Sequence, residues 1–377
     1  MSEPESTSNT QIFNPMKLTC NRAWGLGFLT LLAGMVLTSC EEDTDGSPSF
    51  EVGTPVATQI MPDSAAGGGT VTLLGTGLGD IRSIVFEKQE VPAGFQPTLN
   101  TDKALIFRVP TEAAGGVQNI IVTNSAGRST TIPFKVLAYP TISDASNYIF
   151  SKGTIITLTG NNLDDVTAVA VADSVKGISD AATIISKDKK QLVVEMPAST
   201  LSRGTLSITN GTGRIRTRQE FVNMDLAYKI FTDTFGAGFA NASWGDAATV
   251  TTKEKKDGSA SLTKTYQKGN WHLTGLSNWS SAIAYSPDYT YITGWIKGAS
   301  ADYSLYITTD AGKAGFGDFV EANRVDVKAG VWNYFKIKIS DMDFWVPGKK
   351  LTQVGFRIKG PDKQDETFYF DDILLVK

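Results

Sequence analysis

Short runs of apolar residues alternate with polar ones along most of this chain, and glycine or asparagine closes many of them. Such runs occupy residues 70–74, 120–123, 155–159 and 206–209, then 228–231, 260–266, 291–297, 303–308, 332–339, 354–359 and 367–376. A period of two marks a strand buried on one face, and the turn residues between runs mark its ends. No long stretch of helical period interrupts the segment from 54 to 223. The pattern predicts an all-β protein.

Two parts of the chain repeat each other. Gly69-Thr70-Val71-Thr72-Leu73 reads against Gly153-Thr154-Ile155-Ile156-Thr157, and Leu78 against Leu163. Asp80 matches Asp165, Val109-Pro110 matches Met196-Pro197, and Asn124-Ser125-Ala126-Gly127 matches Asn210-Gly211-Thr212-Gly213. The copies lie about 86 residues apart, a length that suits one β-sandwich rather than a solenoid repeat. The series of a Gly-Thr strand, a strand ending in Pro and a strand entering an Asn-x-x-Gly turn resembles the IPT/TIG domain. That resemblance implies two tandem immunoglobulin-like sandwiches, over 54–137 and 138–223. The first copy matches the series more closely, and the second departs from it around Asp173 to Ser186. Pro140 at the joint predicts a semi-rigid connection. Neither copy contains Trp or His, and both are read as spacers.

From residue 224 the composition turns aromatic. Trp244, Trp271, Trp279, Trp295, Trp332 and Trp345 all fall there. With its period-two runs, this part reads as an antiparallel jelly roll over 224–377. The run Asp257-Gly258-Ser259-Ala260-Ser261-Leu262 and the ending Phe370-Asp371-Asp372-Ile373 resemble a carbohydrate-binding-module jelly roll. The whole chain resembles a surface glycan-binding lipoprotein of a polysaccharide-utilisation system. The resemblance implies a non-catalytic protein that captures polysaccharide beside an outer-membrane glycan transporter and its companion lipoprotein. It also implies a structural Ca²⁺ between the first and last strands, at Asp233 and Asp371, whose carboxylate oxygens suit a hard cation.

The leader agrees with that placement. Met16 offers a second start, followed by Lys17, Arg22, an apolar run over 24–37 and Leu37-Thr38-Ser39-Cys40. The run is of signal-peptide length, and the last four residues match a lipoprotein lipobox, so Cys40 is the expected lipidation site. Residues 1–40 are then leader. The acidic stretch from Glu41 to Asp45, in a linker over 41–53, points to export to the outer face of an outer membrane. The membrane is met only through the lipid. The chain's other cysteine, Cys20, lies in the leader, so no disulfide or thiolate site serves the folded part. A net charge of −4 argues against nucleic acid, whose binding rests on a basic face.

The glycan-contact candidates follow from the flatness of aromatic rings, which suits the apolar faces of sugars. Trp271 and Trp279 stand in polar, turn-like stretches, where a core role is hardest to argue. Trp345 and Trp244 sit in similar surroundings. Trp295 lies on a strand, where alternation alone does not say which face is inward and a core role is commoner than a ligand platform. Tyr306 and Arg357 alternate away from apolar neighbours, so they share a polar sheet face. His272, the chain's one histidine, is either a hydroxyl-binding group or a loop residue beside Trp271. No catalytic motif is recognisable. A surface adhesin or scaffold, and a small jelly-roll glycoside hydrolase or lyase, are the alternatives. Flat β-glucan-type chains suit Trp platforms best on chemistry alone.

Overall fold

The computed structural model describes residues 52–269 and 271–377. The leader, Cys40 and the acidic stretch lie outside the described residues. Among those described there is no α-helix, and no helix long and apolar enough to cross a membrane.

Three cores follow one another along the chain. The first lies between a sheet of Val56–Met61, Thr70–Thr76 and Ala104–Arg108 and a five-stranded sheet around Gly116–Asn124 and Ser129–Val136. Alternation fills it: Val71 and Leu73 from one sheet meet Ile84, Phe86, Ile120 and Val122 from the other. The second core has the same plan, with Ile156, Leu158, Leu192 and Val194 facing Val169, Val171, Leu206 and Ile208. It departs from the first where the sequence repeat weakens. There a ten-residue strand, Ile178–Lys187, pairs with Ala168–Asp173 through its first half and with Gln191–Glu195 through its second. One strand thus stitches the two sheets into a single eight-stranded path.

The third core belongs to a larger antiparallel sandwich. One sheet runs Thr249–Thr251, Ser261–Tyr266, Glu366–Val376, Tyr291–Lys297, Trp332–Lys338, with Tyr228–Phe231 on the last chain strand. The facing sheet runs Ala240–Asn241, Leu273–Ser277, Gln353–Ile358, Tyr303–Thr309, Arg324–Val327. Neighbouring strands come from distant parts of the chain, as jelly-roll topology requires. Leu262, Ile292, Ile296, Phe368 and Phe370 pack from one side against Leu276, Leu305, Ile307, Val354 and Phe356 from the other.

The joints are built, not merely short. Between the first two sandwiches, the turn Asn210–Gly213 clasps the connection: Asn210 Nδ2 donates to the Ala138 carbonyl (2.7 Å), and the Ala138 N–H donates to Thr212 Oγ1 (2.9 Å). Between the second sandwich and the jelly roll, a small core gathers Ile149 and Val222 against Trp295, Leu374 and Val376. Trp295 Nε1 donates to Asn147 Oδ1 (3.0 Å), while Asn147 Nδ2 donates to Asp257 (3.0 Å). The Trp295 ring stacks on Tyr148, 6.2 Å between centroids and 15° from parallel, and Lys256 Nζ lies 3.9 Å from the ring centre. Lys336 and Arg203 meet on Glu220 at the same joint.

Trp295→Ala removes a buried ring and one of the two hydrogen bonds that Asn147 Oδ1 accepts. It is expected to cost about 3–5 kcal/mol. Scanning calorimetry checks this: the variant should unfold the jelly roll at lower temperature and separate its transition from that of the second sandwich. An unchanged thermogram would show that Trp295 does not couple them.

Candidate functional site

The site lies on the outer face of the jelly roll's second sheet, and the core decides what points there. Val354, Phe356 and Ile358 face inward, so Gly355 and Arg357 face out. Leu305 and Ile307 do the same for Tyr306 and Thr308. In register, Arg357 is paired with Leu273 on one side and Tyr306 on the other. Gly275 and Gly355 are also paired, leaving a strip of bare backbone.

Two loops close over this face. The segment after Ala240–Asn241 crosses Gly275, where any Cβ would collide with the Ala242 carbonyl. It carries Trp244, whose N–H donates to the Leu273 carbonyl (3.0 Å). The glycine-rich loop 312–319 comes from the opposite side, and its Gly317 N–H donates to Thr308 Oγ1 (2.6 Å). Gly317 has φ +94°, and the Trp244 ring occupies the space of a side chain there. Phe316 meets Trp244 edge-on, 5.6 Å between centroids.

Arg357 is the centre. Its guanidinium carbon lies 4.6 Å from the Trp271 ring centre, 4.4 Å from Phe319 and 5.8 Å from Trp244. Lys359 Nζ stands 5.2 Å from Phe319 and 5.3 Å from Tyr306. The Tyr306 hydroxyl donates to Glu321 (3.2 Å), which also pairs with Arg324. Trp271 is 74% exposed and Trp244 40%, whereas Arg357 is only 7% exposed and its Nε has no partner. Burial lowers the guanidinium's pKa below its ordinary value, and Asp318 pulls it back up. A hollow of about 270 Å³ opens here, lined by Trp271, Phe319, Ile358, Lys359, Gly360 and Asp362 among others. A larger hollow of about 730 Å³ lies on the second sandwich, by Tyr148, Arg216 and Phe221. It offers no free platform, because Tyr148 is already stacked on Trp295.

Of the residues singled out by sequence, Trp244, Trp271, Tyr306 and Arg357 come together. His272 lies beneath them, buried, with Nδ1 accepting from the Gln267 N–H (3.4 Å) and its ring filling the space over Gly245. It props the turn that carries Trp244. Trp279 is 66% exposed but stands beyond the other end of strand Leu273–Ser277. At about 3.3 Å per extended residue, the five-residue strand alone sets it more than roughly 10 Å along the chain from Trp271. Asn278, fully buried, pins that turn through Ala237 and Ser281. Trp345 is buried: it stacks on Tyr289 (5.8 Å, 17°), and its Nε1 donates to Lys349 O (3.1 Å). Trp295 is taken by the joint. Phe316, Phe319 and Lys359 were missed. The two phenylalanines stand in the polar, glycine-rich stretch Gly315-Phe316-Gly317-Asp318-Phe319, the same signal that drew attention to Trp271.

The carboxylates expected to hold calcium lie with the jelly roll's other sheet, Asp371 on its central strand Glu366–Val376 and Asp233 just past Tyr228–Phe231. Asp233 Oδ1 accepts from the backbone of Ser259 and Ala260. Asp371 Oδ2 accepts from Lys256 N (2.9 Å). Burial pushes the Asp371 carboxyl up to about 7. Burial and the neighbouring Asp371 push Asp372 to about 8. Asp372 Oδ2 is buried with no partner. Among the described residues, no three His, Cys, Asp or Glu side chains converge as a metal cluster. Asp233 and Asp371 alike already accept backbone hydrogen bonds, so the buried Asp372 Oδ2 beside them is the oxygen here that lacks a partner.

Fold and face together define an all-β protein in which an aromatic-lined jelly-roll face follows two immunoglobulin-like sandwiches. Residues 140–223 match the IPT/TIG domain family; the match falls on the second copy, whose motifs depart further from the series. No curated protein matches the chain. Among solved structures, the chain is similar to a surface glycan-binding protein from Prevotella bryantii. The two are 18% identical with a TM-score of 0.52, over 86% of this chain and 99% of that one. It is also similar to a surface glycan-binding protein from a complex xyloglucan utilization locus in Bacteroides uniformis, at 14% identity over 86% of this chain and all of that one, with a TM-score of 0.41. The first of these shares the fold along nearly its whole length.

Gly317→Ala tests the packing of the two loops. A side chain at positive φ, in space held by Trp244, is strained by about 1–3 kcal/mol. Trp244 is expected to move outward, with a red-shifted tryptophan emission at an unchanged far-UV spectrum. An unshifted emission would mean that Trp244 is held by other contacts.

Proposed function

We propose that this chain is a non-catalytic, lipid-anchored protein of the cell surface that captures polysaccharide on the outer face of its jelly roll. The observation that carries the reading is Trp271, a tryptophan three-quarters exposed beside Arg357, Trp244 and Phe319. A single exposed apolar side chain needs no explanation, but an exposed ring gathered with two others around a cation marks a surface that a ligand covers. A sugar ring stacks on the indole while hydroxyls take donors from Arg357 and Lys359. Similarity of fold to surface glycan-binding proteins supports the same reading. Cys40 is proposed as the anchor, the two sandwiches as the spacer, and a glycan transporter with its companion lipoprotein as partners. Trp279, in a separate turn on the same sheet, is proposed as a second contact for a long chain rather than part of the first subsite. Binding at one site is weak, and many copies on one surface add avidity.

Gel retardation of the chain from residue 41 onward, run against neutral and acidic polysaccharides, tests the function. Trp271→Ala should weaken retention by about 2 kcal/mol or more, roughly thirtyfold, the scale of a tryptophan hot spot. Trp279→Ala should weaken retention by long chains only. Release of reducing sugar would point to an enzyme instead, and no retention by any glycan to an adhesin or scaffold.

Calcium is proposed at Asp371 and Asp372, where a cation would supply the missing partner of Asp372 Oδ2. Added Ca²⁺ should raise the melting temperature, chelator should reverse the rise, and Asp372→Asn should abolish the response. Equal melting with and without Ca²⁺ would remove the metal from the account.

A further inference from the structure

The proposed glycan site contains a buried cation with no ion-pair partner among the described residues. Arg357 is nine-tenths buried and forms no ion pair among the described residues, and its Nε is left without an acceptor. Asp362 lines the same hollow but forms no ion pair with Arg357 or Lys359, and the other carboxylates near Arg357 are engaged. Asp318, the acid whose field reaches it, accepts from the Gly315 N–H (2.9 Å). Glu321 is shared between the Tyr306 hydroxyl and Arg324. Lys359 adds a second cation on the rim of the same hollow, also without an ion pair. Burying an unpaired charge is costly, and a stable fold keeps it only where another interaction offsets the cost. The faces of Trp271, Phe319 and Trp244 supply part of that offset through cation–π contact. Ring faces do not accept the in-plane N–H groups of the guanidinium fork, which match a carboxylate in bidentate fashion.

We propose that the glycan taken at this site is anionic, and that Arg357, sandwiched between Trp271 and Phe319, pairs with the carboxylate of a uronic acid residue while Lys359 meets its rim. The proposal rests on the glycan-capturing reading above and narrows its substrate class. Hydroxyl groups of a neutral sugar would satisfy the donors but leave two positive charges in a partly desolvated hollow. A carboxylate satisfies the donors and the charge together. The protein's net charge of −4 opposes an acidic polymer at long range. That opposition is screened beyond about 8 Å at physiological salt, so the local pair of cations decides.

The test is titration calorimetry with the full chain in detergent. The ligands are galacturonate and glucuronoxylan oligosaccharides, the same oligosaccharides with their carboxyls chemically reduced to alcohols, a sulfated galactan and a xyloglucan oligosaccharide. At least one uronate ligand should bind, and its reduced form should bind about tenfold more weakly or worse, the scale of a lost charge-assisted hydrogen bond. Arg357→Gln should lose the same factor for the uronate and little for the reduced form, and Arg357→Lys should keep part of it. The comparison of ligands on the unaltered chain stands even if a variant fails to fold. Binding of the sulfated galactan alone would overturn the carboxylate and assign a sulfate. Binding of the neutral ligand as tightly as any uronate, lost in Trp271→Ala, would overturn the anionic site while leaving glycan capture intact. No binding by any ligand would overturn both.

Discussion

A strand can give only one of its faces to a sandwich core, and the rest of the jelly roll follows from how Gln353–Ile358 divides its two. Val354, Phe356 and Ile358 are buried against the opposite sheet, which fixes the register of the strand. A slip of one residue would bring Arg357 into the core and send three large apolar side chains to the surface, a change no single domain could tolerate. The hydrophobic contacts inside therefore hold Arg357 outside. They also place it opposite Tyr306, because Leu305 and Ile307 impose the same division on the neighbouring strand. The paired glycines 275 and 355 lower the floor beside it, so that the loops carrying Trp244 and Phe316 can close over the face.

Much of this was legible in the sequence, for a physical reason. Alternation is local, so the outward facing of Tyr306 and Arg357 could be read from their neighbours alone. Trp271 was legible too, since a polar turn leaves a large ring few apolar partners. The tryptophans that proved to be packing residues were not separable in this way. Trp295 is buried by Asn147 and Tyr148, some 150 residues earlier and in another sandwich, and no window of sequence contains both sides of that contact. Trp345 lies in a turn-like stretch between Asp343 and Gly348, yet it is covered by Tyr285 and Tyr289 from a separate loop. Phe319 sat beyond the reach of the pattern for a different reason. Phenylalanine is common in cores, so its place in a glycine-rich loop drew less weight than a tryptophan would.

The joints bear on how such a face is used. Both cysteines, Cys20 and Cys40, precede the three sandwiches, so no disulfide braces them, and sandwiches connected in this way would be free to swing on short linkers. Here the second sandwich and the jelly roll share a small core, a paired Trp–Asn contact and the Glu220 cluster. The buried Asn147 is satisfied on both sides, donating to Asp257 and accepting from Trp295, so the polar contact fixes one relative orientation where apolar packing alone would tolerate several.

That fixed orientation also explains a division of labour among the aromatics. A ring that anchors a joint must be enclosed, and a ring that meets a ligand must be open, so one tryptophan cannot do both. Trp295 anchors the joint and Trp345 packs in the jelly roll's own core, while Trp271 and Trp279 stay open and are the rings proposed to meet a ligand, with Trp244 between them, half covered by Phe316 and Gly317. Trp244 and Arg357 share an environment that is neither core nor solvent. In such a place electrostatic interactions are stronger than at an open surface, because fewer waters compete. A charge held there discriminates between ligands far more sharply than the exposed Lys359 beside it, and the rings around Arg357 set how strongly its charge is felt.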